Sequence, residues 1–236
     1  MLRQLMMAGA AGGDPYWASV TALLNFGGPN GSTTFTDSKG LVAWAANGDA
    51  HVETSLGYSV GVFDGVNDYL HSNGTGVPSF LQLGGGDFTI DFIVKTNNTS
   101  VQAICGNLQD QNGTGHYWVI LNSTYTGLHT VQFGIQGGTF KFGTAALDTT
   151  AEHHIELSRI GTSLRCFLDG APLGTTQTLN NFTGTTSAPD FWIGCQNKSG
   201  VPVYALNGHM RAFRVTKGAG RHASNFTPPA APFPEF

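Results

Sequence analysis

The chain has 236 residues, 11 of them Lys or Arg and 15 Asp or Glu, so charged residues make up 11% where soluble domains average roughly 25%. A net charge of −4 excludes a nucleic-acid binder built on a basic face, and so few charges exclude a surface of amphipathic helices laced with Glu–Lys pairs. With 40% hydrophobic residues, 11% aromatics and 33 glycines, disorder is excluded as well, and a turn-rich all-β protein is what remains.

In chain order, Met1–Gly13 carries one Arg and an apolar stretch interrupted by Gln4 and Gly9, too short for a secretory core. It reads as an arm, with Leu2, Leu5, Met6 and Met7 able to dock on a neighbouring subunit. Asp14-Pro15 can cap and start a single helical turn within 16–24, although Val20, Ala22 and Leu24 alternate as a strand would. Strands are predicted over 22–25 and 59–63. In 87–95 the period is two: Phe88, Ile90, Phe92 and Val94 share one face, while Thr89, Asp91 and Lys95 share the other with Ile93. One side of that strand is expected in the core and the other in solvent.

Further strands are predicted over 117–122, 130–135, 191–195 and 208–216. The stretch 153–176 reads as a three-strand meander turning at Gly161 and at Asp169-Gly170. Short strands at this spacing argue for a two-sheet antiparallel jelly-roll sandwich. The proline-rich segment 224–236 cannot form a central strand and is expected as an extended tail anchored by Phe226 and Phe233. The expected organisation is an arm (1–19), one domain (20–223) and a tail (224–236). No run approaches the ~18 apolar residues of a membrane span. Cys105, Cys166 and Cys195 show no metal-like spacing and read as free thiols, buried in the case of Cys166 and Cys195. Asn-x-Ser/Thr sequons, as at Asn30, Asn73 and Asn181, are what chance gives in a chain this rich in Asn and Thr.

FDGVNDYL (63–70), GDFTIDFIVKT (86–96), HHIELSRIGTSLRCFLDGAPLGT (153–175), FWIGCQN (191–197) and the RVTKG…NFTPPAAPF ending resemble, in this order, laminin-G-like domains with the concanavalin A-type jelly roll. The resemblance is nearest to the short single-domain form found in tailed bacteriophages. It departs at Glu152, where relatives often carry Trp, and at Arg211 and Ala212, where they often carry acids. The resemblance implies an all-β sandwich and a virion-associated protein, but the fold hosts lectins, glycosidases and capsid decorations alike.

Residue chemistry narrows these. Glycoside hydrolysis needs two carboxylates about 5–9.5 Å apart, and Glu53, Glu152, Glu156 and Glu235 form no such array. Asp87 and Asp91, like Glu152 and Glu156, read as solvent-facing strand polars. His153 and His154 point to opposite faces of a strand and cannot chelate one metal together. Calcium, which laminin-G-like and lectin jelly rolls bind through loop oxygens, has its densest candidate set in Asp64, Asn67 and Asp68. The alternative for these three is a turn closed by Asx-type bonds. A glycan site needs exposed aromatic platforms, for which Tyr117, Trp118, Tyr125 and Trp44 are available. Alternation assigns Trp118 and Trp192 to the core and leaves Tyr117 and Tyr125 for the surface. No catalytic residues are assigned. The expected function is a non-enzymatic structural protein on the head or tail of a phage virion. Its partners would be other virion proteins and further copies of itself, with host surface glycan as an accessory ligand. A dedicated carbohydrate-binding adhesin is the alternative.

Overall fold

The computed structural model describes residues 13–72, 78–79, 81–107, 115–180, 182–183, 190–230 and 232–236. Leu2, Leu5, Met6 and Met7 of the expected arm lie outside these residues. The described chain is all-β apart from one turn of 3-10 helix at Trp17–Ser19, so no helix among these residues is long and apolar enough to cross a membrane. The turn starts where predicted, but its N-cap is Tyr16 and carries no side-chain cap bond; Asp14 instead turns the chain just before it, its Oδ1 accepting the Tyr16 amide at 2.8 Å.

Two antiparallel sheets carry the architecture. At the centre of the back sheet, Phe88–Thr96 lies between His153–Ile160 and Asn207–Lys217. Outside His153–Ile160 runs Ser163–Leu168, paired in turn with Ala171–Pro172 and Gln177–Thr178. The free side of Asn207–Lys217 is shared by Val60–Asp64 along its first half and Val20–Leu24 along its second, and His51–Glu53 closes that edge. The front sheet runs in the order Gly138–Phe142, His129–Ile135, Tyr117–Ser123, Gln102–Gly106, Trp192–Ile193, Tyr69–Ser72, Ala43–Asn47, Phe35–Thr36.

Alternating side chains from the two inner faces meet in one core. Phe88, Ile90, Phe92 and Val94 come from the back sheet; Tyr117, Val119, Leu121, Val131 and Phe133 from the front. Rings bridge the layers, Phe88 to Phe133 at 5.7 Å and Phe191 to Phe213 at 6.3 Å between centroids. This is the two-sheet antiparallel sandwich the strand spacing predicts. The meander also forms as predicted, and both residues of its Asp169-Gly170 turn have positive φ (49° and 79°), the twist a two-residue hairpin requires. Gly170 is needed a second time: a Cβ there would lie 2.0 Å from the carbonyl oxygen of Phe226, whose amide donates to the Gly170 carbonyl at 3.0 Å.

The outer face of the back sheet departs from expectation. Thr89, Asp91 and Ile93 are all buried, because both ends of the described chain lie across them. Trp17, Val20, Leu23, Ile93, Ala212 and Phe233 form a second, smaller apolar cluster there. Asn25 pins the tail as a peptide group would, accepting the Phe233 amide at 2.8 Å and donating to its carbonyl at 3.1 Å. The last residues of the expected arm, from Asp14 on, and the tail anchored through Phe233 are therefore integral to the fold.

Candidate functional site

Beneath that cover lies an ionic row set by strand register. Arg214, Asp91 and Glu156 sit opposite one another on three adjacent strands. Arg214 clamps Asp91 with two nitrogens at 2.6 and 3.1 Å and reaches Asp14 at 2.8 Å, while Arg221 forks onto the same Asp14 at 2.6 and 2.9 Å. His222 stands against Glu156 at 2.8 Å and stacks on Phe226 with 3.6 Å between centroids. Burial alone would raise the Asp91 and Asp14 carboxyls. The arginines, with the hydrogen bonds they make, reverse this and hold both below the ordinary value. Glu156, with no arginine bonded to it, is raised by burial and by the neighbouring Asp91.

Asp91 and Glu156 are thus not the solvent-facing polars that strand alternation predicts. With Asp14 they are the three carboxylates of a buried network, with His154 buried beside Asp91 and Glu156. The two departures from the family pattern answer each other: Arg211 pairs with Glu152 at 3.0 Å and lies over the Tyr58 ring, and His209 bonds the other Glu152 oxygen. All three cysteines are buried free thiols, each pushed upward by burial and unsuited to nucleophilic attack.

The loop after Val60–Asp64 brings Asp64 and Asp68 together with Asp49, which sequence reasoning did not include. Asp68 is buried and its two oxygens accept the Asp49 and Asp64 amides at 2.8 and 2.9 Å. Asp64 Oδ1 accepts the Val66 amide at 2.7 Å, so the expected Asx-type turn is present. Asn67 lies against Gly48, where a Cβ would come within 3.1 Å of its Oδ1. Burial raises the Asp68 carboxyl, and Asp64 adds to this. Every donor here is a hard oxygen, the set that suits calcium.

A groove of about 810 Å³ opens on the outer face of the front sheet. Its floor follows from parity along Tyr117–Ser123. Tyr117, Val119 and Leu121 point into the core, which turns Trp118 and Ile120 outward. Tyr117 is therefore no surface platform: it is fully buried, its hydroxyl donating to the Leu81 carbonyl at 2.7 Å. The platform is Trp118, half-buried where strand alternation predicts core. Two glycines make room for it, since Gly106 and Gly134 are its cross-strand partners on either side.

A Cβ on Gly134 would stand 1.8 Å from Trp118 Cε2 and 2.2 Å from both Cζ2 and Nε1. A point in the ring plane outside Cε2 would lie as near to Cζ2 and Nε1 as to Cε2; because this one stands farther from both, and equally so, it lies over the ring face. The indole is therefore face-down on the glycine, and its other face is the floor of the groove. Tyr125, 67% exposed as expected, stands at one end with Lys141 over its ring at 4.9 Å. Tyr204, Gln196 and the Gln136–Thr139 turn also line the groove. Gln132 accepts the Ser123 hydroxyl at 2.6 Å, leaving its amide NH2 as the donor end. Trp192 and Trp44 are buried, Trp192 stacked on Tyr69 at 4.0 Å.

Comparison with known proteins places this geometry. The family described as the concanavalin A-like lectin/glucanases superfamily, laminin G type, matches residues 64–222, well over half of the chain. No curated protein matches. Among solved structures, domain 4 of the extracellular arabinanase AbnA from Geobacillus stearothermophilus, in complex with arabinotriose, aligns with TM-score 0.62 and 16% identity over 86% of this chain and 94% of that one. The binding domain of Paraclostridial Mosquitocidal Protein 1 aligns at 0.62 and 11%, over 87% of this chain and 50% of the other. Trypanosoma rangeli sialidase in complex with sialic acid aligns at 0.57 and 14%, over 87% and 31%. At these identities the likeness is one of fold. The chain belongs to the concanavalin A-like lectin/glucanases superfamily.

Proposed function

We propose that this member of the superfamily is a non-enzymatic carbohydrate-binding domain whose site is the front-sheet groove. The observation that carries the proposal is Trp118, held face-down on Gly134 so that one flat indole face floors an open groove. Stacking on such a face is how a protein takes the C–H surface of a sugar, and the amides of Gln132, Gln136 and Gln196 provide hydrogen bonds around it. Hydrolysis is disfavoured because no carboxylate lines the groove among the described residues, whereas the buried pair Asp91 and Glu156 is spent on Arg214 and His222. Binding of sugars by relatives in fold agrees with this, as in the arabinotriose complex.

Calcium at Asp49, Asp64 and Asp68 belongs to the same proposal in a structural role. It would neutralise three crowded carboxylates and brace their loop. The setting in which the groove is displayed, as an adhesion or structural component on a phage particle, alone or as a homo-oligomer, is proposed from the sequence resemblance and the low surface charge. Mass spectrometry of purified particles tests that setting.

The function is tested on a glycan array with the wild type and Trp118→Ala side by side. Signals that vanish in a variant of unchanged melting temperature are expected. Signals that persist unchanged in the variant would remove the groove from the account.

A further inference from the structure

The groove's chemistry also selects among glycans. Resting on the carbohydrate-binding reading above, we infer that its ligand is an uncharged oligosaccharide and that the site selects against acidic sugars. Every described residue that lines the groove is neutral: aromatic, aliphatic, hydroxyl or amide. Lys141, which lies over the Tyr125 ring, is already engaged and donates to the Thr126 hydroxyl.

A carboxylated or sulfated sugar is bound tightly through an Arg or Lys that replaces the water it gives up. Desolvating an anion against indole and amide groups without such a partner is costly. The whole chain adds to this with its net charge of −4. For a neutral sugar the same lining is complementary. The indole takes the C–H face, and Gln132, Gln136, Ser123 and Thr139 can each donate or accept toward hydroxyls, which themselves do both.

Shape narrows the ligand further. At about 810 Å³, the groove is near the upper end of the range of roughly 300–1,000 Å³ for small-ligand sites. A single sugar ring would leave most of it empty. Rings at its floor and sides, Trp118, Tyr125 and Tyr204, offer contacts to successive units of a chain. The inferred class is therefore a short stretch of neutral pentose or hexose polymer.

Titration calorimetry decides this. Neutral oligosaccharides (arabino-, xylo-, cello-, manno- and galacto-series) are compared with acidic ones (oligogalacturonate, sialyllactose, sulfated disaccharide units), for wild type and Trp118→Ala. Binding by at least one neutral series is expected. It should be weakened at least about tenfold in Trp118→Ala, and unchanged between about 50 and about 500 mM salt because no charge pair is there to be screened. Trp118-dependent binding of acidic oligosaccharides that is tighter than any neutral series and weakens with salt would overturn the neutral-ligand inference while leaving the carbohydrate reading standing. No binding of either class by the folded wild type, or binding that Trp118→Ala leaves intact, would overturn both.

Discussion

Gly134→Ala is the sharpest perturbation of the site, because it adds one methyl group where the indole now lies. The new Cβ would stand 1.8 Å from Trp118 Cε2, whereas carbon atoms rest at about 3.5–4.0 Å. The ring must therefore retreat by about 2 Å or swing out of the groove floor. Trp118 lies on the outer face of the sheet, so it can move without disturbing Tyr117, Val119 or Phe133 beneath it. Overpacking costs about 1–3 kcal/mol, and the reduced freedom of the unfolded chain returns about 0.4–1 kcal/mol. Stability should fall by no more than about 2.6 kcal/mol.

Binding should suffer more. A sugar ring covering roughly 60–80 Å² of indole at about 25 cal/mol/Å² gains about 1.5–2 kcal/mol, so losing that seat raises Kd by about tenfold to thirtyfold. Calorimetric titration with the best oligosaccharide, alongside thermal melts, measures both quantities. Gly27→Ala, where an added Cβ meets nothing within 4 Å, controls for glycine replacement in general. Unchanged affinity in a folded Gly134→Ala protein would refute the platform argument.

Three further predictions concern the rest of the molecule. Arg214→Met leaves Asp91 and Asp14 buried without their shared cation and should cost about 3–5 kcal/mol by urea unfolding; a loss below about 1 kcal/mol would show that the network is solvated in solution. Since the Asp91 and Asp14 carboxyls are held below their unfolded value of 3.8, their stabilisation is full above that pH and is lost as pH falls through the folded values. The raised Glu156 acts in the opposite sense over a higher range, so melts from neutral to acid should show a steep decline only below about pH 4, shallower in Asp91→Asn. Calcium should raise the melting temperature of the wild type and chelator should reverse this, with the response absent in Asp64→Asn; no calcium response in the wild type would leave Asp68 as a turn cap alone.

Much of this fold was legible because its strands alternate cleanly. Phe88, Ile90, Phe92 and Val94 mark a core face in any register, and Asp169-Gly170 names its own hairpin. The site was less legible for a physical reason. Residues 117–121 are apolar in both phases, so alternation cannot say whether Tyr117 or Trp118 faces inward. The deciding signal was present in Gly106 and Gly134, but it becomes readable only once the register sets both opposite Trp118. Asp91 was placed on the correct face of its strand, and only its surroundings were missed. The residues that bury it, Asp14 and Phe233, come from the far ends of the chain, where local periodicity carries no information. In the acidic loop, Asp64 and Asp68 lie four residues apart and were readable together, whereas Asp49 arrives from another strand connection.

The four tryptophans allow the central claim to be tested in one spectrum. Each indole N–H gives its own proton–nitrogen resonance, and Trp118→Phe assigns the one belonging to the groove. Titration with a neutral oligosaccharide should move the Trp118 signal progressively to saturation while those of Trp17, Trp44 and Trp192 hold their positions. Saturable binding with the Trp118 signal unmoved would contradict the account, because the sugar would then sit on another surface.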